Sequence, residues 1–120
     1  MKKKAIIVMV HGSRVKATAD ELNNMLSKLN TLSDQSTQYF PAYMEIQSPS
    51  LLEAIPSIID DGYDDIEVLP LFILAGKHVR KDIPEQIEDS QKNFPEIKIS
   101  LQEHIGLQET FLHSIISLNN

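Results

Sequence analysis

Two histidines of the sequence lie at positions where both could contribute to one functional site. His11 directly follows an apolar run at residues 4–10, and His78 follows a second apolar run, at 66–72, with Gly76 and Lys77 directly before it. Neutral imidazole binds first-row divalent metals, and its pKa near ~6.5 lets it accept a proton at cellular pH. Two such residues close together would therefore suit metal binding, proton removal or both.

Basic residues cluster beside both histidines, although the chain has a formal net charge of -6. Such groups would attract an anionic ligand to an otherwise acidic protein, and ordinary solvated side chains are the alternative explanation. Ser13 and the amides of a following helix start would add donors for a carboxylate. The basic residues are Arg14 and Lys16 near the first histidine, and Lys77, Arg80 and Lys81 near the second.

Glu45 and His104 follow the second and fourth predicted strands, so both belong to the candidate site. Each also has a simpler explanation. Glu45 could cap the next helix, and a single loop histidine such as His104 is more often a surface residue. His113, late in the last predicted helix, is interpreted as solvated.

The elements that position these residues alternate along the chain. Apolar runs at 4–10 and 66–72 predict two inner strands, and alternating patterns at 38–45 and 97–102 predict two outer ones. Pro41 cannot donate a ladder hydrogen bond, so the second strand belongs at a sheet edge. Helices are predicted at about 16–32, after Ser48-Pro49-Ser50, from Asp82 as N-cap, and at about 107–118; residues 77–81 are predicted as a loop.

For the second helix we expect a hydroxyl N-cap, Pro49 at the first helical position and Glu53 three residues after Ser50 as in a capping box. The last helix is expected to pack through its apolar residues Phe111, Leu112, Ile115 and Ile116.

The order β-α-β-α-β-α-β-α predicts an α/β fold with one parallel sheet and helices on both faces. Placing the inner strands centrally gives the strand order 2-1-3-4, a small flavodoxin-like sheet. Ligands of such sheets bind beyond the carboxyl ends of the strands where the order reverses. That point lies between the first and third strands, so we expect the His11 and His78 loops to face each other.

Composition narrows the possibilities further. The 120 residues fit a single domain, 1–120. There is no cysteine, so any metal would be held by nitrogen and oxygen donors. The acidic balance disfavours nucleic acid, no apolar run is long enough to span a membrane, and no signal peptide is indicated, which predicts a cytoplasmic protein.

Three pieces of the sequence are recognisable together: Val-His-Gly-Ser-Arg at 10–14, Glu-Ile-Gln-Ser-Pro-Ser at 45–50, and Leu-Pro-Leu-Phe-Ile-Leu-Ala-Gly-Lys-His-Val-Arg-Lys-Asp-Ile-Pro at 69–84. With these pieces the chain resembles the class II tetrapyrrole chelatases, specifically the short sirohydrochlorin chelatases of the CbiX and SirB type. The resemblance covers nearly the whole chain.

The resemblance implies insertion of a divalent metal substrate into sirohydrochlorin for cobalamin or siroheme biosynthesis, with Co²⁺ favoured and Fe²⁺ or Ni²⁺ as alternatives. It implies that His11 and His78 bind the metal and help to remove pyrrole protons, with Glu45 as a third participant. It also implies a homodimer with the macrocycle between the two copies, and no permanently bound cofactor. The histidine-rich stretch of some short members is missing here.

Two other enzyme classes fit the sequence less well, and one non-catalytic function fits it equally. A serine hydrolase using Ser13 lacks a Gly-x-Ser-x-Gly elbow, and a histidine phosphatase would have arginine where Val10 precedes His11-Gly12. A non-catalytic metal or tetrapyrrole carrier would use the same ligands, so the sequence leaves that alternative open.

Overall fold

The computed structural model describes residues 3–120. Four strands alternate with four helices, and a short 3₁₀ turn precedes the last helix. The elements are β1 (Lys4–Val10), α1 (Lys16–Leu32), β2 (Thr37–Tyr43), α2 (Leu51–Asp60), β3 (Asp65–Pro70), α3 (Lys77–Asn93), β4 (Lys98–Leu101), the 3₁₀ turn (Ile105–Leu107) and α4 (Glu109–Leu118).

The strands form one parallel sheet in the order β2-β1-β3-β4, which confirms the predicted order. β1 pairs in parallel with both β2 and β3. The carboxyl ends of all four strands therefore lie at one edge of the sheet, and the reversal of strand order lies between β1 and β3. Pro41 lies in the outer strand β2, as predicted.

β1 is central because its residues are buried on both faces. Ala5, Ile7 and Met9 pack into one core cluster with residues of α2 and α3. Ile6 and Val8 pack into a second cluster with α1. The apolar run at 5–10 is what such a doubly covered strand requires.

Ser50 begins α2 with a complete capping box. Its hydroxyl accepts a hydrogen bond from the Glu53 amide at 3.1 Å, and the Glu53 carboxylate accepts one from the Ser50 amide at 2.8 Å. The expectation of Pro49 as the first helical residue was wrong, since the helix begins at Leu51. The helix continues through Pro56 to Asp60.

The loop predicted at residues 77–81 is also wrong, because α3 already begins at Lys77 with Gly76 as its N-cap. Asp82 is therefore inside the helix and Pro84 is an interior proline. The physical reason is tertiary packing. Val79, Ile83 and Ile87 recur every fourth residue and pack against the core, which outweighs the local helix-start signal of Asp82 and Pro84.

The final helix forms as predicted but does not pack as expected. None of the residues of α4 is buried, although its apolar residues were expected to contact the core. The main contact of α4 is with the preceding 3₁₀ turn. Within residues 3–120, no helix combines the length and apolar character needed to cross a membrane.

Candidate metal and substrate site

His11 and Glu45 form a close pair at the carboxyl edge of the sheet. The ladder between β1 and β2 continues past the strands, because the amide of Met44 donates to the Val10 carbonyl at 2.9 Å and that of Glu45 to the His11 carbonyl at 3.1 Å. These bonds place the His11 Nε2 atom 2.7 Å from a Glu45 carboxylate oxygen. The side chains are 45% and 50% exposed, so they are held in position and still accessible to a ligand.

The loops that carry this pair are also joined directly. The amide of Ser13 donates to the Gln47 side-chain oxygen at 2.8 Å. Gly12 has a φ of 110°, and a Cβ at this position would overlap the carbonyl oxygen of Glu45. Glycine is required here by both the left-handed conformation and the close approach of the second loop.

Ile46 makes a tight turn between Glu45 and Gln47. The amide of Gln47 donates to the Glu45 carbonyl at 2.8 Å, and Ile46 has a φ of 73°. A positive φ at a β-branched residue is strained, and a γ-turn of this hand is rare. The turn lies directly after Glu45, and the sequence analysis identified neither Ile46 nor Gln47 as a site residue.

His78 lies in the first turn of α3 and has its own carboxylate. Its Nε2 atom is 2.8 Å from Asp82, four residues along the helix, and its side chain is 70% exposed. Spacing of i, i+4 places two side chains on one helix face. Asp82 was missed as a partner because residues 77–81 were predicted to be a loop; a helix prediction would have revealed it.

The basic residues predicted to bind substrate are all exposed. Ser13 is half-buried, and its amide donates to the Gln47 side-chain oxygen. Its hydroxyl accepts a hydrogen bond from the Val15 amide at 3.1 Å. The O–H of Ser13 can still donate to a ligand carboxylate, whereas its amide is already used. The cationic side chains are Arg14 and Lys16 beside the first histidine and Lys77, Arg80 and Lys81 in the first turns of α3.

A cavity of about 310 Å³ lies between α3 and β4 at the same edge. Arg80 and His104 line it together with mainly apolar residues, including Pro70, Ile83 and Leu101. An apolar cavity with one cation and one imidazole suits a ligand that is apolar in its body and anionic at its periphery. His113 is exposed on α4 and does not line this cavity.

The described part of the chain, residues 3–120, contains no cluster of three or more His, Asp and Glu side chains arranged to hold a metal. His11, Glu45 and His78 are thus not assembled into a three-ligand centre. The structure forms two separate histidine–carboxylate pairs instead, one following β1 and one following β3, the two strands that are neighbours in the sheet.

The fold and the site together describe one class of protein. It is a parallel α/β domain with histidine–carboxylate pairs beyond the carboxyl ends of its strands. The chain belongs to the CbiX family, whose model matches residues 5–118.

Known relatives are similar across most of the chain. A sirohydrochlorin ferrochelatase of Priestia megaterium is 27% identical over 97% of this chain. A sirohydrochlorin cobaltochelatase of Sulfurisphaera tokodaii is 32% identical over 87% of it. The crystal structure of the sirohydrochlorin chelatase SirB from Bacillus subtilis subspecies spizizenii, in complex with cobalt, matches 96% of the chain with a TM-score of 0.79 and 29% identity.

These relatives differ in length. The chain spans 43% of the Priestia megaterium protein and 49% of the SirB chain. It spans 81% of the Sulfurisphaera tokodaii cobaltochelatase.

Proposed function

We propose that this protein is a sirohydrochlorin metal chelatase, which inserts a divalent metal ion into the macrocycle as a step of cobalamin or siroheme biosynthesis. The observation that carries the proposal is the His11–Glu45 pair, 2.7 Å apart, at the carboxyl edge of a CbiX-family fold. Membership of the family supports the reaction, and the exposed imidazole supplies the chemistry.

Insertion exchanges two pyrrole protons for one M²⁺ ion, so the charge of the macrocycle is unchanged. His11 and His78 bind the incoming metal through imidazole nitrogens and accept the departing protons. Glu45 and Asp82 orient the two rings and stabilise them when protonated. Neutral nitrogen donors without thiolates release the ion more readily than a cysteine cage would.

We favour Co²⁺ as the metal substrate, with Fe²⁺ or Ni²⁺ as alternatives. The named cobaltochelatase relative and the cobalt complex of SirB support cobalt, and the named ferrochelatase relative supports iron. Imidazole and carboxylate bind all three ions, so the donor set does not choose between them.

The acetate and propionate groups of sirohydrochlorin require cations on a protein of net charge -6. Arg14, Lys77, Arg80 and Lys81 provide them. The chain acts in the cytoplasm as a homodimer, with the macrocycle enclosed between the carboxyl edges of two copies. The relatives of about twice its length support the dimer, since one chain there has room for two such units.

The test is an insertion assay with sirohydrochlorin and Co²⁺, Fe²⁺ or Ni²⁺. We expect acceleration over the uncatalysed rate, and His11→Ala and His78→Ala each to reduce it at least about 100-fold because a metal ligand and base is lost. The matched control is His113→Ala, an exposed histidine away from the site, which should retain full activity.

The alternative is a non-catalytic metal or tetrapyrrole carrier, because binding needs the same side chains as insertion. Tight binding of sirohydrochlorin without acceleration for any of the three metals would favour the carrier and overturn the enzyme proposal. Full activity of both histidine variants would overturn the assignment of the site.

A further inference from the structure

α4 presents an uncovered apolar stripe. Phe111, Leu112, Ile115 and Ile116 lie on one side of the helix by their spacing. Leu112, Ile115 and Ile116 are 46%, 43% and 58% exposed. An isolated helix of ten residues is only marginally stable in water. We therefore expect the apolar stripe of α4 to pack against another surface.

The same chain carries an uncovered apolar groove. It lies between α3 and β4, has a volume of about 400 Å³, and its floor includes Ile87, Ile99 and Leu101. Glu88 and Lys92 at its rim are paired at 3.5 Å, so the rim is close to neutral. The groove follows the edge strand β4, and in the described residues no helix of the same chain covers it.

The composition of α4 indicates what kind of surface it meets. Glu109 is its only formally charged residue, and it has no lysine or arginine. A helix bound to an anionic membrane would carry cations on its polar face. Depletion of charge is instead typical of the buried centre of a protein–protein interface.

Stripe and groove also match in size. A helix of ten residues is about 15 Å long, and the four residues of β4 span about 13 Å. Both surfaces are apolar and close to neutral. The chain therefore carries two complementary surfaces that are not in contact with each other.

We propose that α4 of one copy binds in the α3–β4 groove of a second copy, and that the second copy returns the same contact. A two-fold dimer of this kind uses each surface twice. That doubling matters, because stable interfaces bury about 800 Å² per partner and one short helix provides less. The inference assigns the surfaces of the proposed homodimer and does not depend on chelatase activity.

The test is the solution mass of the full chain and of two paired variants. Ile115→Asp with Ile116→Asp places charge in the stripe and should raise the dimer dissociation constant at least about 100-fold. Ser114→Asp with Ser117→Asp adds the same charge on the polar side of α4 and should leave it unchanged. Circular dichroism of the stripe variant should remain native, because neither isoleucine is buried in its own chain.

A variant in the α3–β4 groove tests whether each copy binds α4 of the other copy in this groove. Leu101→Asp should also give monomers, and mixing it with the stripe variant should restore heterodimers, since one intact helix then meets one intact groove. A Leu101→Asp variant that is still a dimer would overturn the α3–β4 groove as the binding surface for α4. A wild-type monomer with a stripe variant of lowered melting temperature would show that α4 folds back on its own chain, and would also overturn it. Dimers without insertion activity would contradict the proposed function alone.

Discussion

His11 and His78 each have a carboxylate oxygen within 2.8 Å of the Nε2 atom, but the two pairs are built differently. Glu45 reaches His11 from a separate loop, whereas Asp82 and His78 share one helix face. A carboxylate that accepts a hydrogen bond from one imidazole nitrogen fixes the ring and leaves the other nitrogen for a metal or a proton. We therefore expect metal binding and proton transfer to depend on Glu45 and Asp82 as well as on the two histidines.

Replacing each carboxylate by its amide tests this dependence. Glu45→Gln and Asp82→Asn keep the shape of the side chain and remove its charge, so we expect insertion to slow by about 10- to 100-fold while folding is unchanged. Steady-state kinetics with each metal measure the effect, and Glu21→Gln on the exposed side of α1 is the control. Unchanged kinetics for Glu45→Gln would remove Glu45 from the mechanism.

The strain at Ile46 makes a second prediction for a single residue. A left-handed conformation costs an L-residue about 1–2 kcal/mol, and glycine avoids this cost but adds about 1 kcal/mol of chain entropy. Ile46→Gly should therefore leave the free energy of unfolding within about 1 kcal/mol of wild type, yet slow insertion because Glu45 is less firmly aimed. Urea denaturation and the insertion assay measure the two effects, with Ile46→Val as control. A loss of stability well above 2 kcal/mol would contradict the strain.

Among the elements, Glu67 links three strands at the middle of the sheet. Its carboxylate lies 3.0 Å from the Lys4 ammonium of β1 and accepts a hydrogen bond at 2.8 Å from Gln102, just after β4. Burial raises the pKa of Glu67, but the hydrogen bonds from Lys4 and Gln102 outweigh it and hold the pKa below its ordinary value of 4.5. The ionised form is thus favoured by folding.

Because the folded-state pKa is lowered, the stabilisation by Glu67 is fully present above pH 4.5 and is lost as the pH falls through the lower folded-state value. Glu67→Gln should cost about 1 kcal/mol at neutral pH, and the difference from wild type should close in acid. Thermal unfolding from pH 7 to 3 measures it. A difference that stays constant over that range would contradict the assignment.

Sequence patterns predicted those elements that local chemistry specifies. The apolar run of β1, Pro41 at the edge and the Ser50–Glu53 capping box were all confirmed. The start of α3 was missed because packing by Val79 and Ile83 outweighs the local signals of Asp82 and Pro84. The Ile46 turn was missed because a β-branched residue is not expected at a positive φ, so nothing in the sequence marks the turn.

For the whole molecule, charge distribution matters more than total charge. The net charge of -6 repels an anionic macrocycle at long range. We expect the cations beside the two histidines to offset this repulsion at the carboxyl edge of the sheet. Binding of the substrate should therefore depend on individual basic residues at the carboxyl edge and on ionic strength.

Two charge reversals of equal size separate the local effect from the total one. Arg80→Glu should raise the KM for sirohydrochlorin at least about 10-fold at low salt, and the difference should shrink as salt screens the charges. Lys28→Glu, an exposed residue of α1, changes the net charge equally and should have little effect. Equal effects of the two variants would show that only the total charge matters.

The two loops that hold His11 and Glu45 are joined by the Ser13–Gln47 hydrogen bond and by the close approach of Gly12 to Glu45. These two contacts restrict the motion of both loops. Loops tied to each other in this way have few alternative conformations, so little conformational entropy is lost when a ligand is bound. The amide of Ser13, although near the surface, should exchange slowly with deuterium. A metal ion would then meet a binding pair that is already ordered before it arrives.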